Sequence, residues 1–363
     1  MNLFNHPDRR QLLLASLGGL SGWLGWAQAA HALPPKTLTF PRDRGSHPDF
    51  RTEWWYITGH AVSTAPERRD FGFQLTFFRS RVEVAQAMTS NFAARQLVFA
   101  HAAITDVQGK KLWHDQRIAR AGFDVASASE QDMNIKLRDW TLSAAGGSYT
   151  AELPAADFSI HLQFRETQAV LLQGQQGLSR KGPEENQASY YYSQPQLAAS
   201  GSFQVKEQTF VVTGKAWLDH EWSHELLHSS AVGWDWIGMN LDDGSALTAF
   251  RLRDKDGNAV WTGGSLRTVA GGLRVFSQGE VMFRPHRSWT SPLTQITYPV
   301  EWAVGTPGET YTVKALLDNQ ELDSRNSTGS VYWEGLSELA DSRGRRVGMG
   351  YLEMTGYGQA LRL

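Results

Sequence analysis

The chain has 363 residues, a formal net charge of -2, 41% hydrophobic and 20% charged residues, and no cysteine. That length allows two ordinary domains and a sizeable core. The near-neutral charge gives no general attraction for nucleic acid or an anionic membrane, so neither is expected as a partner. Without cysteine there are no disulfides, no thiol nucleophile and no thiolate metal site.

The first 32 residues read as an export signal. Arg9 and Arg10 precede an apolar run from Leu12 to Trp26, and small residues follow at Ala27, Ala29, Ala30 and Ala32. A charged start, a short apolar middle and A-x-A-like sites make a secretory signal. The adjacent arginines resemble a twin-arginine signal. The expected location is periplasmic or secreted, with no stable membrane span after cleavage. No later stretch is long and apolar enough to cross a bilayer.

The rest alternates in strand fashion. "EWWYITGHAV" and "DFGFQLTFFRS" predict a hairpin or adjacent strands across "STAPERRD". "LVFAHAAITD", "NIKLRDWTLSA", "FSIHLQF" and "SFQVKEQTFVVTGKAWL" continue the pattern, with turn signals between them. A polar loop is expected over 173–189 and a linker over 226–233. After it, "DDG" and "KDGN" read as hairpin turns. Helix is plausible only near 91–96 or 223–229. The fold class is all-β: two consecutive antiparallel β-barrels or sandwiches, divided as 33–228 and 229–363.

The acids and aromatics cluster. In a strand, Glu53, Trp55 and Ile57 share one face and Trp54, Tyr56 and Thr58 the other. "GKAWLDHEWS" is read as a strand ending in Asp219, His220 and Glu221 beside Trp222, where burial could move a pKa toward neutrality. Asp219 is equally compatible with a cap at a strand-to-helix turn. Tyr190 and Tyr192 face one side of "SYYYS" and Tyr191 the other. Asp235 points opposite to Trp234 and Trp236, and is expected to face solvent. Glu334 and Glu353 sit among aromatics and are compatible with structural roles.

"DHEWSHELLHS" contains His-Glu-x-x-His twice, through His220, His224 and His228. On a helix such histidines grip zinc. Here the preceding residues are strand-like and no third ligand follows at a recognisable spacing, so neither metal nor cofactor is expected.

Six stretches in one order, "TEWWYITGH", "GLSRKGPE…ASYYYS", "GKAWLDHEWS", "GWDWIGMNLDDG", "YWEG" and "YLEMTGY", resemble the lipocalin-like proteins grouped with AttH and the carotenoid 1,2-hydratases (hydroxyneurosporene synthases). The resemblance implies two consecutive lipocalin-like antiparallel β-barrel domains. It implies chemistry in which a double bond of an apolar polyene is protonated and water added. The hydratases' Asp-His-x-Trp stretch matches Asp219, His220 and Trp222. Their proposed proton donor is an aspartate two residues after a tyrosine. The matching region here, "ALTAFRLRD", has Phe250 and Leu252 instead.

The residues and the resemblance lead to one expected site. Glu53, Asp219, His220 and Glu221 are its catalytic candidates. Trp54, Trp55, Tyr192, Trp222, Trp234 and Trp236 are its ligand-binding walls. The expected activity is acid–base chemistry of hydratase or isomerase type on an apolar, polyene- or lipid-like small molecule. The competing reading is a non-catalytic carrier of such a ligand. Zinc hydrolysis ranks third, and no G-x-S-x-G elbow supports a serine hydrolase.

Overall fold

The structure, a computed structural model, describes residues 32–225 and 227–361. The expected export signal, 1–32, lies outside it except for its last residue. Two antiparallel sheets account for nearly all of the secondary structure, as the sequence predicts. No helix among the described residues is long and apolar enough to cross a membrane.

Eight strands position the sites. β1 (Thr52–Ala65) and β2 (Asp70–Arg81) form the expected hairpin. β3 (Ala188–Val205) and β4 (Gln208–Glu225) form a second, and β4 also pairs with β1. These four lie at the centre of a 13-stranded sheet. Its flanks curl together where Gln96–Asp106 and Lys111–Arg120 approach Asn134–Leu137, nearly closing a barrel. The second, 10-stranded sheet is centred on β5 (Gly233–Leu241), β6 (Ala246–Arg253), β7 (Ser330–Ala340) and β8 (Arg346–Met354). The "DDG" and "KDGN" turns join strands as predicted, with Gly244 at φ +92° and Gly257 at φ +84°. Both lie in the left-handed region that glycine enters without strain.

Two local expectations fail. Neither 91–96 nor the described part of 223–229 is helical. The only α-helix among the described residues is Glu83–Gln86, with one 3-10 turn at Arg42–Arg44. The strand expected to stop at Leu218 runs on to Glu225, because β1 and β3 pair with it through Ser223 and Glu225 respectively. Hydrogen bonds on both edges hold it extended, so Asp219 caps no helix.

Alternation then sorts the side chains into three cores. One face of β1 and β4, with Trp55, Ile57, Leu218 and Trp222, packs inside the first barrel. One face of the second sheet, with Ile237, Leu352 and Met354, fills its own interior. The remaining faces meet each other. Tyr56 and Trp217 of the first sheet pack against Trp236, Phe250, Leu336 and Tyr351 of the second. Both faces of each central strand are therefore buried, which explains runs such as "EWWYI" with large apolar groups at consecutive positions.

Candidate functional site: a cleft between the sheets and a buried cluster behind it

The meeting faces enclose a cavity of about 300 Å³. Its walls include Trp54, Tyr56, Trp234, Trp236, Phe250 and Leu252. Its carboxyl groups are Asp219, Glu221, Glu334 and Glu353, which the strand period turns to this side. Register explains the grouping: Tyr56 pairs with Asp219, Trp54 with Glu221, Trp236 with Glu353 and Glu334 with Glu353.

These carboxyls are not alike. Glu221 takes Lys181 Nζ at 3.0 Å and the Ser189 hydroxyl, and is satisfied as an anion. The Lys181 ammonium also lies over the Phe250 and Tyr191 rings, at 4.4 and 4.7 Å. Asp219 accepts from Ser193 Oγ at 2.5 Å and from Tyr191 Oη and Trp217 Nε1 at 2.7 Å each. Burial pushes Asp219 up to about 7, against those three donors, which favour its anion. The donors decide its role, because Asp219 meets only groups that give it hydrogen bonds. It fixes Tyr191 and Trp217.

Glu334 and Glu353 are different. Burial, then the charges of Asp219 and Glu221, lift Glu353 to about 7, although Trp234 favours its anion. Burial, then the neighbouring Glu353, lifts Glu334 well above the carboxylate range. Glu334 Oε1 and the adjacent Tyr56 hydroxyl are buried without a hydrogen bond of good geometry. Glu334 is buried and Glu353 half-buried beside it, and the two cannot both ionise readily, so the pair retains a proton near neutral pH.

The other face of β1 and β4 carries a second constellation. The Glu53 carboxylate turns into the barrel, although Glu53 also touches the rim of the cleft. Its Oε1 meets His47 Nδ1 at 2.7 Å and His220 Nε2 at 3.0 Å. Its Oε2 accepts from Arg79 Nε at 2.8 Å, the His47 amide at 2.9 Å and Ser46 Oγ at 3.0 Å. His47 Nε2 faces Asp43 Oδ1 at 2.9 Å, and His220 Nδ1 faces the Asp43 carbonyl at 3.1 Å. The Tyr192 hydroxyl lies 3.3 Å from the same His220 nitrogen. Trp222 stacks on His47 at 3.8 Å and Trp55 on His220 at 4.7 Å. Burial would raise Glu53, but hydrogen bonds from His220 and His47 hold it below the usual range. Burial pulls His220 down to about 4 against the attraction of Glu53.

The expected single site therefore divides in two. Asp219, Glu221, Trp54, Trp234 and Trp236 line the cleft. Glu53, His220, Trp55, Trp222 and Tyr192 surround the barrel cluster, and His220 does not reach the cleft. A strand cannot point consecutive residues the same way. Asp235 is also corrected. It does oppose Trp234 and Trp236, but that face is the second barrel's interior. There it is fully buried, with Arg251 Nε at 2.6 Å and Tyr357 Oη at 2.8 Å. The zinc-motif helix is absent, since His220 and His224 lie on β4. His224 is exposed, against Phe50 at 4.5 Å.

Sequence reasoning missed Asp43, His47, Arg79 and Lys181 as site residues, and undervalued Glu334 and Glu353. Acids between aromatics in "YWEG" and "YLEM" were the available signal for the last two. Nothing in "RDRGSHPD" signals that it folds against β1.

An all-β chain of two antiparallel sheets, one a nearly closed barrel, is a lipocalin-like architecture. The AttH-like family matches residues 31–357, and this chain belongs to that family. The solved structure of an AttH-like protein of Nitrosomonas europaea is 45% identical, with a TM-score of 0.84, covering 90% of this chain and 99% of that one. Kievitone hydratase from Nectria haematococca shares the fold at 12% identity and a TM-score of 0.66, covering 89% of this chain and 96% of that one. CghA with bound Sch210972 does so at 12% identity and a TM-score of 0.56, covering 86% and 89%. A comparison with curated proteins finds no match.

Proposed function

We propose that the protein is an exported enzyme that binds an apolar, alkene-bearing small molecule in the cleft and protonates it from the Glu334–Glu353 pair. The supporting observation is the pair itself: a buried acid whose Oε1 has no hydrogen bond, inside an aromatic cavity. A carboxyl group transfers its proton to one alkene carbon, leaving positive charge on the other. The indole faces of Trp54, Trp234 and Trp236 stabilise that charge. Water then adds and releases a proton, giving an alcohol, or an adjacent C–H proton returns to the carboxylate, giving an isomer. Phe250 and Leu252 stand where the hydratases carry their tyrosine and aspartate, and the acid assigned here comes instead from β7 and β8 of the same sheet.

The test starts with mass spectrometry of apolar compounds that co-purify with the exported protein. Incubating them with the protein in ¹⁸O- and ²H-labelled water distinguishes hydration from isomerisation. Label incorporation lost in Glu353→Gln and Glu334→Gln, with ligand retained, supports the proposal. Ligand retention with no label in any product favours the carrier reading, which rests on the same apolar walls.

A further inference from the structure

We propose that His47, Glu53 and His220 form a binding site for one divalent transition-metal ion, zinc being the best match to two imidazoles and a carboxylate. The three side chains are buried, and their nearest donor atoms all lie within 4.8 Å of one another. The site is on the opposite face of β4 from the cleft and does not depend on the reading given to the cleft.

The argument is one of lone pairs. The far nitrogen of each ring faces an acceptor supplied by Asp43: its carboxylate for His47 Nε2, its carbonyl for His220 Nδ1. Both near nitrogens point at Glu53 Oε1, an anionic oxygen. With N–H on each far nitrogen, each near nitrogen presents a lone pair. Three electron-rich atoms then converge, a set that one cation joins.

The surroundings fit. A histidine ligand ordinarily donates its other N–H to a carboxylate or backbone carbonyl, and Asp43 supplies one of each. Arg79 and Ser46 occupy Glu53 Oε2, the His47 amide reaches both carboxylate oxygens at 2.9 and 3.0 Å, and Oε1 is the oxygen that both rings face. The two N···O separations, 2.7 and 3.0 Å, fall short of the roughly 3.3 Å between ligands of a tetrahedral ion with bonds of about 2.05 Å. The rings need recede only a few tenths of an ångström. The proposed ligand set departs from the expectation of no metal, and does so through His47, outside the His-Glu-x-x-His motif.

The test uses the full exported protein, stripped with a chelator and then given zinc alone or cobalt(II) alone. The expected result is about one zinc per chain, retained through gel filtration, with a higher melting temperature than the stripped protein. With water as the fourth ligand, cobalt(II) should give the intense visible bands of a four-coordinate site. His47→Gln and Glu53→Gln should lose both, and His224→Ala with His228→Ala should lose neither. If the first two variants fail to fold, the cobalt spectrum of the unaltered protein decides. No zinc retention, no thermal shift and only the weak spectrum of hydrated cobalt would overturn the proposal. So would metal binding that disappears in the His224 and His228 variant.

Discussion

Asp219 and His220 are neighbours in the chain and face opposite sides of one sheet, Asp219 toward Tyr191 and Trp217 in the cleft and His220 toward Glu53 in the barrel. β4 is thus a wall shared by two chemically distinct sites, and substitutions at the two residues should have separable effects.

The acid pair predicts how stability depends on pH. Burial raises Glu353 from 4.5 to about 7. The folded state thus holds this proton more tightly than the unfolded chain. The resulting stabilisation is complete below about 4.5 and is lost as pH rises through about 7. Glu353→Gln should therefore stabilise the protein at pH 8 by on the order of 3 kcal/mol and change little at pH 4. Urea denaturation at the two pH values measures this, and equal effects at both would remove the assignment of a retained proton.

Trp236 is nearly buried between the sheets, edge-on to Tyr56 at 5.5 Å and to Trp217 at 6.3 Å. Trp236→Ala should weaken binding of an apolar fluorescent fatty acid by about tenfold or more, since a lost indole contact of this kind exceeds about 1.4 kcal/mol. Unchanged affinity in a fluorescence titration would place the ligand elsewhere.

Gly72 lies where β2 meets the second sheet. A Cβ there would come within 2.7 Å of the Tyr351 hydroxyl and 2.8 Å of Leu336 Cβ. Gly72→Val should cost about 1–3 kcal/mol through overpacking. A melting temperature equal to that of the parent would show that the sheets can part at this point.

His224 is exposed, and His228 hydrogen-bonds to Ser230 in the segment after β4. His224→Ala and His228→Ala should each change stability by under about 1 kcal/mol and leave activity intact. Loss of activity in either would restore the zinc-hydrolase reading.

The expected export signal is tested by replacing both Arg9 and Arg10 with lysine. Twin-arginine export predicts that the protein accumulates in the cytoplasm. Normal export of this variant, measured by fractionation, would leave a secretory signal but remove that route.

Alternation and turn chemistry are local, and they were readable. The hairpin of β1 and β2, the glycine turns at Gly244 and Gly257, and the opposed faces of Tyr191 and Tyr192 all follow from period two and from the φ angles glycine permits. The double His-Glu-x-x-His was discounted as a metal motif for a sound local reason, its strand-like approach. The strand's true end at Glu225 was not readable, because its length is fixed by pairing with β1 and β3.

What the sequence determined by itself was which residues share a face: Glu53 with Trp55, and Trp54 with Tyr56. Only the tertiary structure decided what each face meets. Asp235 was placed on the correct side of its strand, yet that side is a barrel interior holding Arg251. His47 reaches Glu53, and Asp43 reaches His47 and His220, only because the segment before β1 folds onto the barrel and Trp222 stacks on the His47 ring. Glu334 and Glu353 become an acid pair only because β7 and β8 align and the first sheet packs over them. Facing directions follow from backbone geometry within a few residues. Contacts and pKa shifts depend on groups brought from distant parts of the chain, and no local pattern encodes those distances.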